Sequence, residues 1–242
     1  MGDNAHRADL LSGPAHSPRT GLDHQTQREG IERPSGSAAA PGELMRLFVA
    51  IAPPPAVLDE LDALVEPLRA RRLDLRWTNR EAWHVTLAFL GQVDEDAVAR
   101  LMPRLQRAAG RHHQVRLAFA GAGAFPAATR ANVLWSGMSG DRRALTDLAK
   151  TVSAAACAAG ASRAGAPPPD KGRRFQPHLT LARCRMPADV TELVAALDDY
   201  QGQPWTADRV HLVRSRLGAT EHPRYTSLAN WPLRTPPVTT TG

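Results

Sequence analysis

The pattern of apolar and polar positions predicts the same order of elements twice along the chain. Continuous or alternating apolar runs indicate strands, and apolar residues at every third or fourth position indicate helices. In each round a strand and a helix are followed by two more strands. The first round comprises 83–90, 94–109, 114–124 and 131–136, and the second comprises 176–183, 188–199, 208–217 and 224–231. The repetition predicts an α+β fold with two similar lobes of mixed sheet and outer helices.

Three further elements lie outside these two rounds. A strand is predicted at 46–51, and Pro53–Pro55 then opens a helix whose apolar residues recur at helical spacing. We expect Pro67 to kink or end that helix, because proline lacks the N–H that continues the hydrogen-bond ladder. An Ala-rich helix is predicted at 141–159, between the two rounds.

Other segments show no apolar period. Residues 1–44 are rich in Gly, Pro, Ser and Ala, and they predict a disordered N-terminal tail before a folded domain at 45–234. Residues 235–242 predict a flexible C-terminal tail. The 160–174 segment contains three consecutive prolines and predicts a long irregular loop. Its basic end, Lys171–Arg174, either overhangs the second motif strand and touches substrate or is a solvated surface.

Length and composition exclude some classes of protein. A chain of 242 residues suits one domain or two small lobes that share a core, and no run of about 18 apolar residues could span a bilayer. The N-terminus lacks the pattern of a secretory signal, and two cysteines cannot form a disulfide framework. We therefore expect a cytoplasmic protein with no membrane contact, and a monomer.

The positive charge of the chain lies in its folded part and consists almost wholly of arginine. The formal net charge is +6, and only Lys150 and Lys171 among the 30 cationic residues are lysines. The first 43 residues contain four Arg and six acidic residues, so the remaining 199 carry a net charge of +8. A basic folded region attracts polyanions such as RNA, although an arginine-rich composition on a solvated surface would look the same.

Two predicted strands each carry a His-x-Thr-Leu motif, one in Trp83–Gly91 and the other in Gln176–Arg183. Because side chains alternate along a strand, the His and Thr of each motif share one face, and Val85, Leu87 and Phe89 are predicted on the other. If the two lobes face each other, four side chains enclose one cleft: His84, Thr86, His178 and Thr180.

The matched context of these motifs argues against coincidence. Nine His and 16 Thr in 242 residues predict His-x-Thr roughly 0.6 times by chance, and it occurs three times. The third copy, at His24, has polar neighbours in the predicted tail. A single motif histidine could be purely structural, but two in equivalent places of a repeat favour a functional pair.

Two histidines and two hydroxyls across a cleft suit the cleavage of a phosphodiester. A neutral imidazole accepts a proton from water, and a protonated one donates a proton to the departing oxygen. Threonine hydroxyls donate hydrogen bonds to the phosphoryl oxygens as negative charge develops there. Such a pair needs no metal and no cofactor. The sequence contains no close His, Cys or carboxylate cluster with metal-ligand spacing, although His84 and His178 could bind zinc with another group.

The sequence resembles the 2H phosphoesterase superfamily, and more narrowly the RNA 2′,3′-cyclic phosphodiesterases formerly called 2′-5′ RNA ligases. The resemblance rests on H-V-T-L and H-L-T-L, 94 residues apart, on the opening M-R-L-F-V-A-I-A-P-P, and on A-F-L-G and V-L-W-S-G. It extends over nearly all of residues 45–232. It implies a bilobal α+β fold with a pseudo-two-fold axis through the cleft.

The same resemblance implies a reaction and a role for five residues. The reaction is hydrolysis of a 2′,3′-cyclic phosphate on RNA or a nucleotide to a 2′-phosphomonoester. His84 would be the proton donor to the 3′ leaving oxygen and His178 the proton acceptor from water. Thr86, Thr180 and Arg183 would bind the phosphate.

Arg183 does not fit the simple strand pattern. It lies five residues after His178, so strict alternation sends it to the opposite face. Either the strand ends or bulges before it, or its long side chain reaches the site from below, or it is a structural residue.

Other interpretations of the sequence stay open. The substrate could be another cyclic nucleotide or an ADP-ribose cyclic phosphate, and the chain could be a non-catalytic RNA-binding module of the same fold. Phe48, Trp135 and Tyr225 could stack on a base or belong to the core.

Overall fold

A computed structural model of the chain describes residues 44–161, 175–217 and 223–237. The predictions made for the N-terminal tail, for nearly all of the 160–174 loop and for the end of the C-terminal tail lie outside the described residues.

The described residues form nine strands and four helices, and every element predicted from the sequence is among them. The strands are β1 (Met45–Ile51), β2 (Leu75–Trp77), β3 (Val85–Val93), β4 (Val115–Phe125), β5 (Ala131–Gly140), β6 (Leu179–Ala188), β7 (Trp205–Ala207), β8 (Arg209–Leu217) and β9 (Pro223–Pro232). The helices are α1 (Pro55–Arg71), α2 (Glu95–Ala109), α3 (Arg142–Ala158) and α4 (Thr191–Leu197). The prediction missed β2 and β7, because three residues are too few to show a period.

Helix α1 does not end at Pro67 but continues for another turn to Arg71. Pro67 and Ala63, whose carbonyl loses its usual hydrogen-bond donor, are both exposed, so water can bond that carbonyl. Val65 and Leu68 are buried on either side of the proline and hold the helix against the core. Packing of the apolar face therefore outweighs the single lost hydrogen bond.

The strands form one sheet in which the two motif strands are central neighbours. The order is β7-β4-β5-β6-β3-β1-β8-β9, all pairs along it are antiparallel, and β2 also pairs with β6. Four strands lie on each side of the β6–β3 junction, which confirms the predicted bilobal α+β fold. The hairpin of each round nevertheless lies on the side of the sheet that contains the motif strand of the other round. The β4–β5 hairpin pairs with β6 of the second round, and β8–β9 pairs with β1.

The two faces of the sheet differ in what covers them. Leu47, Val49 and Ile51 of β1 are buried in a large core that includes the apolar residues of the helices. Phe48 and Ala50, on the opposite face of the same strand, belong to a separate small cluster with Val213, and Tyr225 packs against it. We call this second face the open face. Among the described residues, no helix is long and apolar enough to cross a membrane.

Candidate active site

The two His-x-Thr motifs meet where β3 and β6 touch. Val85 and Leu179 are opposite each other in this antiparallel pair. Their neighbours are therefore also opposite: His84 faces Thr180, and Thr86 faces His178. All four side chains are partly buried on the open face, so the structure brings together the four residues that the sequence predicted. The two histidines lie one residue before the strands begin, not inside them.

Both imidazoles are anchored in the same way. Nδ1 of His84 lies 2.7 Å from the carbonyl oxygen of Ala82, and Nδ1 of His178 lies 2.8 Å from that of Gln176. A carbonyl oxygen only accepts, so each Nδ1 carries a hydrogen and donates it. The other nitrogen, Nε2, is then the one left to exchange a proton with a ligand. The sequence could not predict these anchors, because a backbone carbonyl leaves no sequence signal.

Aromatic rings pack against each imidazole. The His84 ring stacks on Phe48 at 4.5 Å and meets Tyr225 edge-on at 5.2 Å. The His178 ring meets Phe125 edge-on at 5.1 Å and lies 6.0 Å from Trp135. The sequence allows Phe48, Trp135 and Tyr225 a place in the core or a base-stacking role, and in this structure their rings pack against the imidazoles. Phe125, one residue beyond a predicted strand, was not singled out.

Burial sets the protonation of both histidines. It lowers the pKa of His84 from 6.5 to about 4, and the positive charges of His178 and Arg183 act in the same direction. Burial also lowers the pKa of His178, and Arg183 again contributes. The anchoring carbonyls only partly oppose these effects. Both imidazoles are therefore neutral at pH 7 in the protein without ligand.

A β-bulge at Leu181 brings Arg183 to the open face. Trp135 of β5 pairs with Thr180, but the next residue, Leu134, pairs with Ala182, so Leu181 is an extra residue in β6. Leu181 and Ala182 are consequently both buried, and Arg183 is exposed. A bulge in the strand, one of the possibilities left open by the sequence, therefore decides the face on which Arg183 lies. The charge of Arg183 acts on both motif histidines.

The first motif strand has the same bulge, at Leu87. Ala50 pairs with Thr86 and Val49 with Ala88, so Leu87 is the extra residue of β3. The prediction that Phe89 shares the buried face with Leu87 is therefore wrong. Phe89 is 67% exposed and its ring lies 6.3 Å from that of Phe48, on the open face. Phe89 and Arg183 thus occupy equivalent places, each five residues after its motif histidine.

In the described part of the chain, no three His, Cys, Asp or Glu residues lie close enough together to hold a metal ion.

The sheet has matched halves with one His-x-Thr motif at each central strand, and this is the fold expected of a 2H phosphoesterase. The chain belongs to the 2′-5′ RNA ligase superfamily, whose family model matches residues 53–219. This confirms the family predicted from the two motifs.

Individual relatives agree with this family. The RNA 2′,3′-cyclic phosphodiesterase of Geobacillus stearothermophilus is 30% identical over 166 residues, which cover 69% of this chain and 50% of that protein. The enzyme of the same name from Thermotoga maritima is 26% identical over 176 residues, or 73% of this chain and 89% of that one. The chain spans between half and about three fifths of the length of the first curated relatives that it matches.

Solved structures support the fold. Apo LigT of E. coli superposes with a TM-score of 0.60 at 26% identity, over 80% of this chain and 100% of that one. TT0787 of Thermus thermophilus also gives 0.60, at 27% identity, over 79% and 99% of the two chains.

Proposed function

We propose that this protein hydrolyses 2′,3′-cyclic phosphates at the ends of RNA, or on nucleotides, to 2′-phosphomonoesters. The observation that carries the proposal is the pair of imidazoles on adjacent antiparallel strands, each with Nδ1 anchored and Nε2 left for proton exchange. The names of the relatives, RNA 2′,3′-cyclic phosphodiesterase, support the same substrate.

In the proposed reaction the two histidines divide acid and base work. Nε2 of His178 accepts a proton from a water molecule as the water oxygen bonds to phosphorus. Nε2 of His84, protonated at the start, donates its proton to the 3′ oxygen as the bond from that oxygen to phosphorus breaks. The product carries the phosphate on the 2′ oxygen. Exchange of protons with solvent then restores both imidazoles.

The remaining site residues act on the phosphoryl oxygens. The hydroxyls of Thr86 and Thr180 each lie across the strand junction from a histidine, and they donate hydrogen bonds to the non-bridging oxygens. The guanidinium of Arg183 balances the negative charge that builds up as the fifth bond to phosphorus forms.

The acid role of His84 depends on bound substrate. With a pKa of about 4 in the free protein, His84 carries no proton at pH 7. A phosphate anion between the two imidazoles favours their charged forms and raises both pKa values. The phosphate group of the substrate thus helps to create the acid that expels its own 3′ oxygen.

The proposal is tested by incubating the full chain with a short RNA that ends in a 2′,3′-cyclic phosphate, in the presence of EDTA, and identifying the product by chromatography against synthetic 2′-phosphate and 3′-phosphate standards. We expect a 2′-phosphate end, and the His84→Ala and His178→Ala variants should not form it. His113→Ala is the matched control, because its exposed side chain lies between α2 and β4. A 3′-phosphate product would contradict the assigned leaving oxygen. Binding of the RNA end without hydrolysis would identify a non-catalytic RNA-binding module.

A further inference from the structure

A second arginine lies beside Arg183 on the open face. Arg76 of β2 is directly opposite Arg183 of β6 in their antiparallel pair. Opposite residues share a face, with Cβ atoms about 5 Å apart, so the side chain of Arg76 projects on the same side as that of Arg183. The sequence pattern did not single out Arg76, because β2 was too short to be predicted.

The Arg76–Arg183 pair lacks a counter-charge within the described residues. Like charges directly opposite each other in a sheet are destabilising. Nearby arginines are compensated: Arg80 pairs with Asp59, and Arg72 with Asp74. No ion pair joins Arg76 or Arg183 to a carboxylate in the part of the chain that the structure describes.

The acidic side chain closest to Arg76 in the sequence is paired with another arginine. Asp74 lies two residues before Arg76, but its Oδ1 and Oδ2 accept hydrogen bonds from Nε and Nη2 of Arg72, at 2.8 and 2.9 Å. Arg72 accordingly holds the pKa of Asp74 below its usual value. Two adjacent guanidinium groups without a protein counter-ion are suited to an anionic ligand, and they present the planar donors that bind phosphate oxygens.

An open cavity lies along β2 beside Arg76. Its volume is about 650 Å³, and its lining includes Arg76, Arg185, Asn79 and Asp74, whose carboxylate is bonded to Arg72. The charge of Arg183 acts on both motif histidines. β2 and β3 pair with the same edge of β6, so Arg76 follows the His84–Thr180 pair along that edge, beside Arg183.

We propose that Arg76 and this cavity form a second anion subsite, which binds the phosphate attached to the 5′ oxygen of the terminal nucleotide. The inference rests on the proposed function, since the cyclic phosphate must occupy the histidine pair. The next phosphate along an RNA strand is one nucleotide away from the cyclic phosphate, and Arg76 and the cavity lie directly beside Arg183, which binds the cyclic phosphate in the proposed reaction. The subsite makes a nucleotide with a phosphate on its 5′ oxygen a better substrate than one without it.

The test compares uridine 2′,3′-cyclic phosphate with and without a 5′-phosphate. We expect the wild-type chain to show about tenfold higher kcat/KM for the 5′-phosphorylated compound at low salt, as one charge-assisted contact gives. Arg76→Gln should abolish this preference and leave hydrolysis of the unphosphorylated compound unchanged. Arg76→Lys should retain part of the preference. Arg107→Gln, on the exposed surface of α2, removes the same charge and should change neither rate.

The other possible results of this experiment would overturn either the subsite or the proposed function. Equal losses on both compounds in a correctly folded Arg76→Gln variant would overturn the subsite, because Arg76 would then serve the cyclic phosphate itself. A wild-type chain without preference would overturn it as well. If the wild type hydrolyses neither compound, the proposed function fails. Fluorescence anisotropy with a labelled oligonucleotide then tests the subsite alone, which is refuted if Arg76→Gln binds as tightly as the wild type.

Discussion

Replacing His84 by Gln should make the protein less sensitive to acid. The His84 imidazole is held neutral by burial, with a pKa of about 4 in the folded protein against an ordinary value of 6.5. Between these two pH values the unfolded chain binds a proton that the folded chain does not bind. The free energy of unfolding must therefore fall as the pH drops through this window, and it is fully retained above it.

The size of the effect follows from the two pKa values. When the pH falls from about 7 to about 4.5, a single group with these two pKa values lowers the free energy of unfolding by about 2 kcal/mol, because it binds its proton more readily in the unfolded chain. Glutamine stays neutral over this range, so the free energy of unfolding of the His84→Gln variant lacks this part of the pH dependence. Protonation of carboxylates also destabilises the protein in acid, but it affects both proteins alike and cancels in the comparison.

The assay is urea unfolding followed by the fluorescence of the five tryptophans, at both pH values and on both proteins. The wild type should lose about 2 kcal/mol more than His84→Gln between the two pH values. His113→Gln is the control, since its side chain is exposed, and it should behave like the wild type. Equal acid sensitivity of wild type and His84→Gln would refute the conclusion that burial keeps this imidazole neutral.

Three further predictions concern catalysis. His84→Ala and His178→Ala should each lower turnover roughly 10²- to 10⁴-fold, and the double variant should be hardly worse, because acid and base act in one displacement. If a folded single variant keeps more than about a tenth of wild-type turnover, the replaced histidine is not the required acid or base. Thr86→Val and Thr180→Val should cost roughly 10- to 10³-fold, measured as kcat on a cyclic phosphate, and an unchanged kcat would remove the hydroxyl from the mechanism. The pH profile of kcat/KM should have its maximum below about pH 6.5, since the pKa values of both histidines are lowered in the free protein. The profile of kcat should have its maximum at higher pH, because bound phosphate raises the pKa values of both histidines. Maxima at the same pH would show that bound phosphate does not raise these pKa values.

Most of the fold follows from local pattern, and its exceptions come from pairing between strands. The apolar periods of β3, β6 and the longer helices predicted those elements, because burial of one face imposes them residue by residue. The bulges at Leu87 and Leu181 depend on how β3 and β6 align with their neighbours, which a single strand does not encode. The exchange of hairpins between the two rounds depends likewise on which strand edges meet.

The site was predictable to the same extent. His84 and His178 were found because alternation within a strand and repetition along the chain are both visible in the sequence. Phe89 was assigned to the wrong face, since one extra residue reverses the alternation beyond it. Arg76 was missed because its relation to Arg183 exists only through the pairing of β2 with β6.

The matched bulges also determine where the two halves of the site stop being alike. Up to the threonine of each motif, the anchored imidazole and the hydroxyl are duplicated, so a ligand would meet the same groups if it were turned end for end. The bulge then turns outward an aromatic ring at Phe89 in one half and a cation at Arg183 in the other. A molecule with a flat ring at one end and an anion at the other can tell these halves apart. One extra residue in each motif strand thus makes the two ends of a nearly symmetric site chemically different.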